Sequence, residues 1–420
     1  MSALILRNGR VIDPANNVDV VRDVYVSDGK ISATPAAGAR LVDATGCWVV
    51  PGLIDMHVHL REPGGSAKET IATGTRCAAR GGFTSVVCMP NTSPPADNPG
   101  TIALIRQRAQ ETAMVNVYPT GAITRELKGE ELAPIGSLKR AGVVAITDDG
   151  RCVQNNDLMR RALQYAGMFG LPVLDHCQDY QLSADGVAHE GHWSLALGLR
   201  GWPALAEDVI VMRDILLAED TGTHVHCQHI SSGRAVRLLR EAKRRGVPVS
   251  AEVCPHHFTL TDEWLKTFDA NFKMNPPLRS EADRQALWEG LTDGTIDCIA
   301  SDHAPHCPFE KEVEFDVAPF GIIGLETELA LSLELVRKKI LTVRQLVEKF
   351  TVNPARILGL SKGTLSVGAD ADITVIDAER DWVYDVGQSA SKSRNSPFHG
   401  WKLRGKAIMT IVGGKVVWEE

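Results

Sequence analysis

The 420-residue chain is poor in aromatics, at 5%, and its nine cysteines form no CxxC pair. An odd, scattered set excludes a disulfide framework and makes a reduced, cytoplasmic protein the expectation. Long apolar runs are lacking: none approaches the roughly 18–20 residues that span a bilayer. The first residues, broken by Arg7, Asn8 and Arg10, read as neither signal peptide nor spanning helix. Basic runs are short as well. Lys243-Arg244-Arg245 falls on a predicted helix, and the formal net charge is −7. Nucleic acid and anionic membrane, which need a basic patch, are therefore not expected as partners. A small anionic substrate, held by one or two placed cations, stays open.

What is present is an ordinary globular composition, 44% hydrophobic and 23% charged. The length suits one barrel of roughly 250–300 residues plus a small second domain. Residues 1–50 read as short strands with turns at Asn8-Gly9 and Asp28-Gly29, both hairpin dipeptides. Residues 361–420 have the same style, with a strand at 372–376 and a hairpin turning at Gly413-Gly414. The expectation is a small β-sandwich domain built from both termini.

Residues 51–360 alternate apolar runs with helical segments. The runs are 49–60, 84–89, 115–120, 143–147, 172–176, 223–229, 247–253 and 296–301. Predicted helices include 158–169, 207–219 and 234–245, and Ser66-x-x-Glu69 reads as a capping box. Eight β/α repeats predict an α/β fold, a closed (β/α)₈ TIM barrel, whose active site lies at the C-terminal strand ends.

Five of those ends carry His or Asp. The first reads Asp55-Met56-His57-Val58-His59; alternation puts both imidazoles on one face, where they suit one metal ion. The fourth reads Thr147-Asp148-Asp149-Gly150, a carboxylate pair that suits a bridge between ions. The fifth ends in Asp175-His176. The sixth offers His224, His226 and His229; spacing does not choose among them, and position at the strand end favours His229. The eighth reads Ser301-Asp302-His303-Ala304-Pro305-His306, where a carboxylate beside a metal suits general acid–base work. Nitrogen and oxygen ligands of this kind suit zinc, one or two ions, with two favoured at about 3.5–4 Å separation.

At these residues the chain resembles the cyclic amidohydrolases, and within them the bacterial class I dihydroorotases. Further segments carry the likeness: Arg61-Glu62-Pro63-Gly64, Met89-Pro90-Asn91-Thr92, Lys273-Met274-Asn275-Pro276-Pro277-Leu278-Arg279, and Lys311 after His306. The resemblance implies zinc-dependent, reversible cyclisation of N-carbamoyl-L-aspartate to L-dihydroorotate. It implies that His57 and His59 hold one zinc with Asp302 close by, that His176 and His229 hold a second, and that Asp149 bridges them. It makes Asp302 the catalytic proton carrier. Arg61, Asn91, Asn275 and His306 become substrate contacts, together with the backbone of Pro319-Phe320-Gly321 in a loop over 306–321. A homodimer and association with aspartate transcarbamoylase are further implications. Related hydantoinases, dihydropyrimidinases and allantoinases carry a carboxylated lysine where Asp149 stands. Non-catalytic dihydroorotase-like partners of the transcarbamoylase lose metal ligands that this chain keeps. One departure is Gln178, where an acidic residue is usual behind His176. Cys177 and Cys307 read as bystanders. His256 and His257 read as supporting residues, and His189, His192, His224, His226 and His399 as structural.

Overall fold

The computed structural model describes residues 3–420. Its centre is a ring of parallel segments. Leu53–Val58, Phe83–Cys88 and Asn116–Pro119 form one ladder; Val173–Asp175, Val225–Cys227, Val249–Val253 and Cys298–Ile299 form another. Single parallel bridges at Ile146, to Gly121 and to Val173, join the two, and a bridge from Val58 to His303 closes the ring. The fourth apolar run therefore takes its predicted place, though only Ile146 makes ladder contacts. Met56, Val87, Leu174, Cys298 and Ala300 fill the barrel interior. A larger apolar layer outside packs the strands on helices such as Ile71–Gly81, Asn156–Gly167, Leu205–Thr221 and Gly233–Arg244. Among the described residues no helix is long and apolar enough to cross a membrane.

Both termini build one eight-stranded sheet. Its joint is Trp48–Pro51, which pairs in parallel with Leu4–Asp13 and antiparallel with Ile373–Val383. Apolar side chains from both ends of this sheet, Val26 and Ile31 as well as Met409 and Ile411, share one core. A Cβ on Gly414 would lie 2.9 Å from Gly29, so the two hairpin turns touch. The two ends of the sheet thus meet over one shared apolar core.

Three local expectations change. Residues 49–60 are two strands: Trp48–Pro51 joins the terminal sheet and Leu53–Val58 the barrel. Asn8-Gly9 is no hairpin turn. Leu4–Asp13 runs through it with a register shift, and Asn8 takes a φ of 62°. The capping box also moves. The helix begins at Ile71 with Thr70 as cap, Thr70 and Thr73 bonding reciprocally at 3.1 Å. Ser66 and Glu69 lie ahead of it. Glu69 is fully buried and accepts from Ser391 Oγ and the Lys392 backbone, tying the barrel to the C-terminal segment.

Candidate metal centre and substrate pocket

All the histidines and aspartates expected as ligands converge at one end of the barrel. The ligand atoms of three buried groups lie within 4.8 Å of one another: His57, His59 and Asp149; Asp149, His176 and His229; His57, His229 and Asp302. Asp149 Oδ1 is 3.2 Å from His57 Nε2, 3.6 Å from His176 Nδ1 and 3.8 Å from His229 Nε2. Asp149 Oδ2 is 3.3 Å from His59 Nε2. Asp302 Oδ1 lies 3.0 Å from His59 Nε2 and 3.3 Å from His57 Nε2.

The backbone explains how His229 joins this set. Alternation along the sixth strand would turn 229 away from the face used by 224 and 226. His229 has φ 35° and Asp302 φ 44°. Such left-handed backbone is uncommon for residues with a Cβ and concentrates at functional sites. It releases both side chains from the strand's alternation.

Each of three imidazoles is oriented by an oxygen acceptor behind it. His57 Nδ1 donates to Glu252 Oε1 at 2.6 Å, His59 Nδ1 to Asn91 Oδ1 at 2.9 Å, and His176 Nε2 to Gln178 Oε1 at 2.9 Å. The proton sits on the outward nitrogen, so the inward nitrogen offers a lone pair. Among the described residues His57 Nε2 and Asp149 Oδ1 have no hydrogen-bond partner although both are buried. Burial alone would depress the His57 imidazole, but Asp149, Asp302 and Glu252 raise it well above its ordinary value. Burial likewise opposes the Asp149 carboxylate, yet His57, His176 and His59 hold it well below the usual range. The pull of Asp149, Asp302 and Glu252 for positive charge on His57, and the nitrogens converging on the same carboxylates, fit a metal cation in place of that proton.

Above this centre opens a cavity of ≈ 330 Å³. All the sequence-predicted site residues line it except His57 and His229, which lie deeper. Arg61, with Nε donating to the Pro305 carbonyl at 3.2 Å, occupies one wall. Asn275 donates through Nδ2 to Gln178 Oε1 at 3.1 Å, and its own buried Oδ1 has no partner among the described residues. The Gln178 amide therefore serves both His176 and Asn275, in the place where an acid was expected. Burial, with Arg61 and Lys68 nearby, pushes His306 down to about 3. Neutral His306 accepts from Lys68 on Nδ1, at 3.4 Å, and donates through Nε2 to the Phe320 carbonyl at 2.9 Å. Gly321 closes this wall at φ 149°, where a Cβ would come 2.7 Å from the Ala304 carbonyl oxygen.

Several contributors were not singled out by sequence. Glu252 is a buried carboxylate between His57 and His226; burial would raise it, but the two histidines bring it down to about 2. Its signal was a lone charge in the apolar run Val249–Val253. His226, expected to be structural, supports Glu252 and donates or accepts at Ser250 Oγ, 2.7 Å away. Asn395 reaches in from the C-terminal segment to the Ala304 and Gly321 carbonyls, at 2.9 and 3.0 Å, a contact no local pattern announces. Cys177 turns its thiol to Asp175 and Asp214, away from the cavity.

A family model described as dihydro-orotase-like matches residues 46–235, and an amidohydrolase family model matches residues 226–418. The chain is 58% identical over 422 residues to a dihydroorotase of Pelotomaculum thermopropionicum and 52% identical over 423 residues to one of Syntrophus aciditrophicus, with 99% of each chain covered in both cases. Among solved structures, L-hydantoinase (dihydropyrimidinase) from Arthrobacter aurescens superposes with a TM-score of 0.89 at 28% identity, covering 100% of this chain and 96% of that one. Dihydropyrimidinase from Brevibacillus agri superposes with a TM-score of 0.86 at 26% identity, covering 99% and 95%. Identity of this order over 99% of each chain, together with the candidate metal-binding groups at the barrel mouth, makes the chain a member of the dihydroorotase family of amidohydrolases.

Proposed function

We infer that the chain catalyses the reversible cyclisation of N-carbamoyl-L-aspartate to L-dihydroorotate, the dihydroorotase step of pyrimidine biosynthesis, with zinc as its metal. The observation that carries the reading is Asp149, a carboxylate shared by two histidine groups beneath a cavity walled by Arg61, Asn91 and Asn275. His57 and His59 would hold one ion with Asp302, His176 and His229 a second, and Asp149 both. Ions held there would supply a lowered pKa of water and polarisation of an amide carbonyl.

The remaining work falls to this chain's side chains. In ring opening, water adds to the ring amide carbonyl and the carbon–nitrogen bond breaks. Asp302, at the cavity floor, accepts the proton from the water and delivers it to the departing ring nitrogen. Ring closure runs the same transfers backwards. The Arg61 guanidinium offers a planar fork to the substrate carboxylate. Asn91 is fixed through Oδ1 by His59, which leaves its amide nitrogen for the ring edge. The unpartnered Asn275 Oδ1 is an acceptor for a ring N–H. The structurally similar hydantoinase marks the alternative substrate class, hydantoin or another ring without a carboxylate. The Arg61 wall favours a carboxylate-bearing ring instead.

The test is a substrate panel on one purified sample. L-dihydroorotate turning over, with hydantoin and allantoin inert, supports the reading; the reverse pattern overturns it. The resemblance extends the proposal to a cytoplasmic homodimer able to associate with aspartate transcarbamoylase. Light scattering of the chain, alone and with the transcarbamoylase, checks both: a monomer that binds nothing rejects them.

A further inference from the structure

Lys311 follows the eighth strand's motif, and no step of the reaction uses it. Its side chain is buried, and among the described residues no carboxylate forms an ion pair with it. Nζ instead donates to three backbone carbonyls: Pro319 at 2.8 Å, Gly321 at 3.1 Å and Lys273 at 3.4 Å. These carbonyls belong to two segments that meet over the cavity, since the Gly321 amide also donates to the Lys273 carbonyl at 3.0 Å. Pro319, Phe320 and Gly321 line the substrate cavity, as do Met274 and Asn275 next to Lys273.

We propose that Lys311 is a positioning residue for substrate, whose ammonium knots the Pro319, Gly321 and Lys273 carbonyls and so sets the backbone wall against which the ring lies. An ammonium is compact and carries three donors, which matches three carbonyls converging from different directions. Among the described residues no other side chain hydrogen-bonds the Pro319 carbonyl, whereas the Gly321 carbonyl keeps Asn395 and the Phe320 carbonyl keeps His306. Losing Lys311 therefore frees one end of the wall while the other stays tied. Burial, with Lys273 nearby, lowers the Lys311 amine to about 7 against a weaker pull from Asp269, and the three carbonyls, which can only accept, keep it the donor. Lys273 completes the arrangement from the outside: it donates to the Asp316 carbonyl at 2.9 Å and stands 4.7 Å over the Phe320 ring.

The inference rests on the substrate lying against Pro319, Phe320 and Gly321, and its test separates the two ideas. Lys311→Met is compared with wild type and with Lys349→Met. Lys349 is another buried lysine on a backbone carbonyl, Ile296, but lies outside the lining of the cavity. KM for L-dihydroorotate in Lys311→Met rises about 10- to 100-fold, as for loss of a charged donor, with kcat within about threefold and metal content unchanged. Lys311→Arg recovers part of the KM loss. Lys349→Met lowers the melting temperature and leaves KM unchanged. If Lys311→Met melts lower but keeps wild-type KM, the residue is structural and the inference fails. A wild-type protein without dihydroorotate turnover would instead remove the functional reading beneath it.

Discussion

The two walls of the cavity are built from different materials. The metal wall consists of side chains at strand ends. Each of three imidazoles is aimed by a side-chain acceptor behind it: Glu252, Asn91 or Gln178. The opposite wall, over residues 306–321, is backbone, fixed by donors from Lys311, His306 and Asn395. A metal needs particular ligand atoms, which only particular residues provide. A flat ring edge needs carbonyl and amide groups in the right place, which any residue provides if its neighbours hold it. On the proposed function, changes in the first wall are expected to act on metal and chemistry, and changes in the second on substrate affinity.

Substitutions sharpen that contrast. The largest effect is expected from Asp302→Ala, which removes the proposed proton carrier: kcat falls roughly 10²–10⁴-fold while KM moves little. Normal turnover would take the proton role away from Asp302. Next comes Glu252→Gln, which leaves the ligands in place but weakens the acceptor that aims His57. Metal affinity drops about 10- to 100-fold in a chelator competition. If metal is retained and only KM changes, the two walls are not separable in the way described.

A control lies in the terminal sheet. Ile411 is fully buried in the apolar core shared by the two ends of the chain. Ile411→Ala costs about 2–5 kcal/mol of stability in a denaturant titration. At a temperature where the variant stays folded, kcat and KM are those of wild type; a changed KM would show that the sheet shapes the site. The smallest effect belongs to Gln178→Glu, which puts a charge behind His176. It raises metal retention by less than about tenfold. Weaker retention would show that the neutral amide, shared with Asn275, is the better support.

Legibility followed the same division. The clustering of the proposed metal wall was legible because metal chemistry favours His and Asp at strand ends, and the structure brings His57, His59, Asp149, His176 and Asp302 together there. His229 was reached by position alone, because its φ of 35° breaks the alternation that spacing arguments assume. Glu252 and Asn395 escaped, since their partners lie 195 and 91 residues away in sequence. The fold shows the same pattern. Apolar runs marked every barrel segment, but run 49–60 concealed a passage from one sheet to another. Ser66-x-x-Glu69 matched a capping box while Glu69 was committed to the distant Ser391. Local pattern reports local structure; it does not report which long-range partner has claimed a side chain.

The central claim is that the convergent histidines and carboxylates form a loaded metal centre on which turnover depends. The most direct measurement is zinc per chain, read on the same sample as L-dihydroorotate turnover, before chelation, after it and after adding zinc back. The account predicts between about one and two zinc ions per chain, activity lost with the metal, and activity restored with it. Full turnover from protein stripped of metal would contradict it.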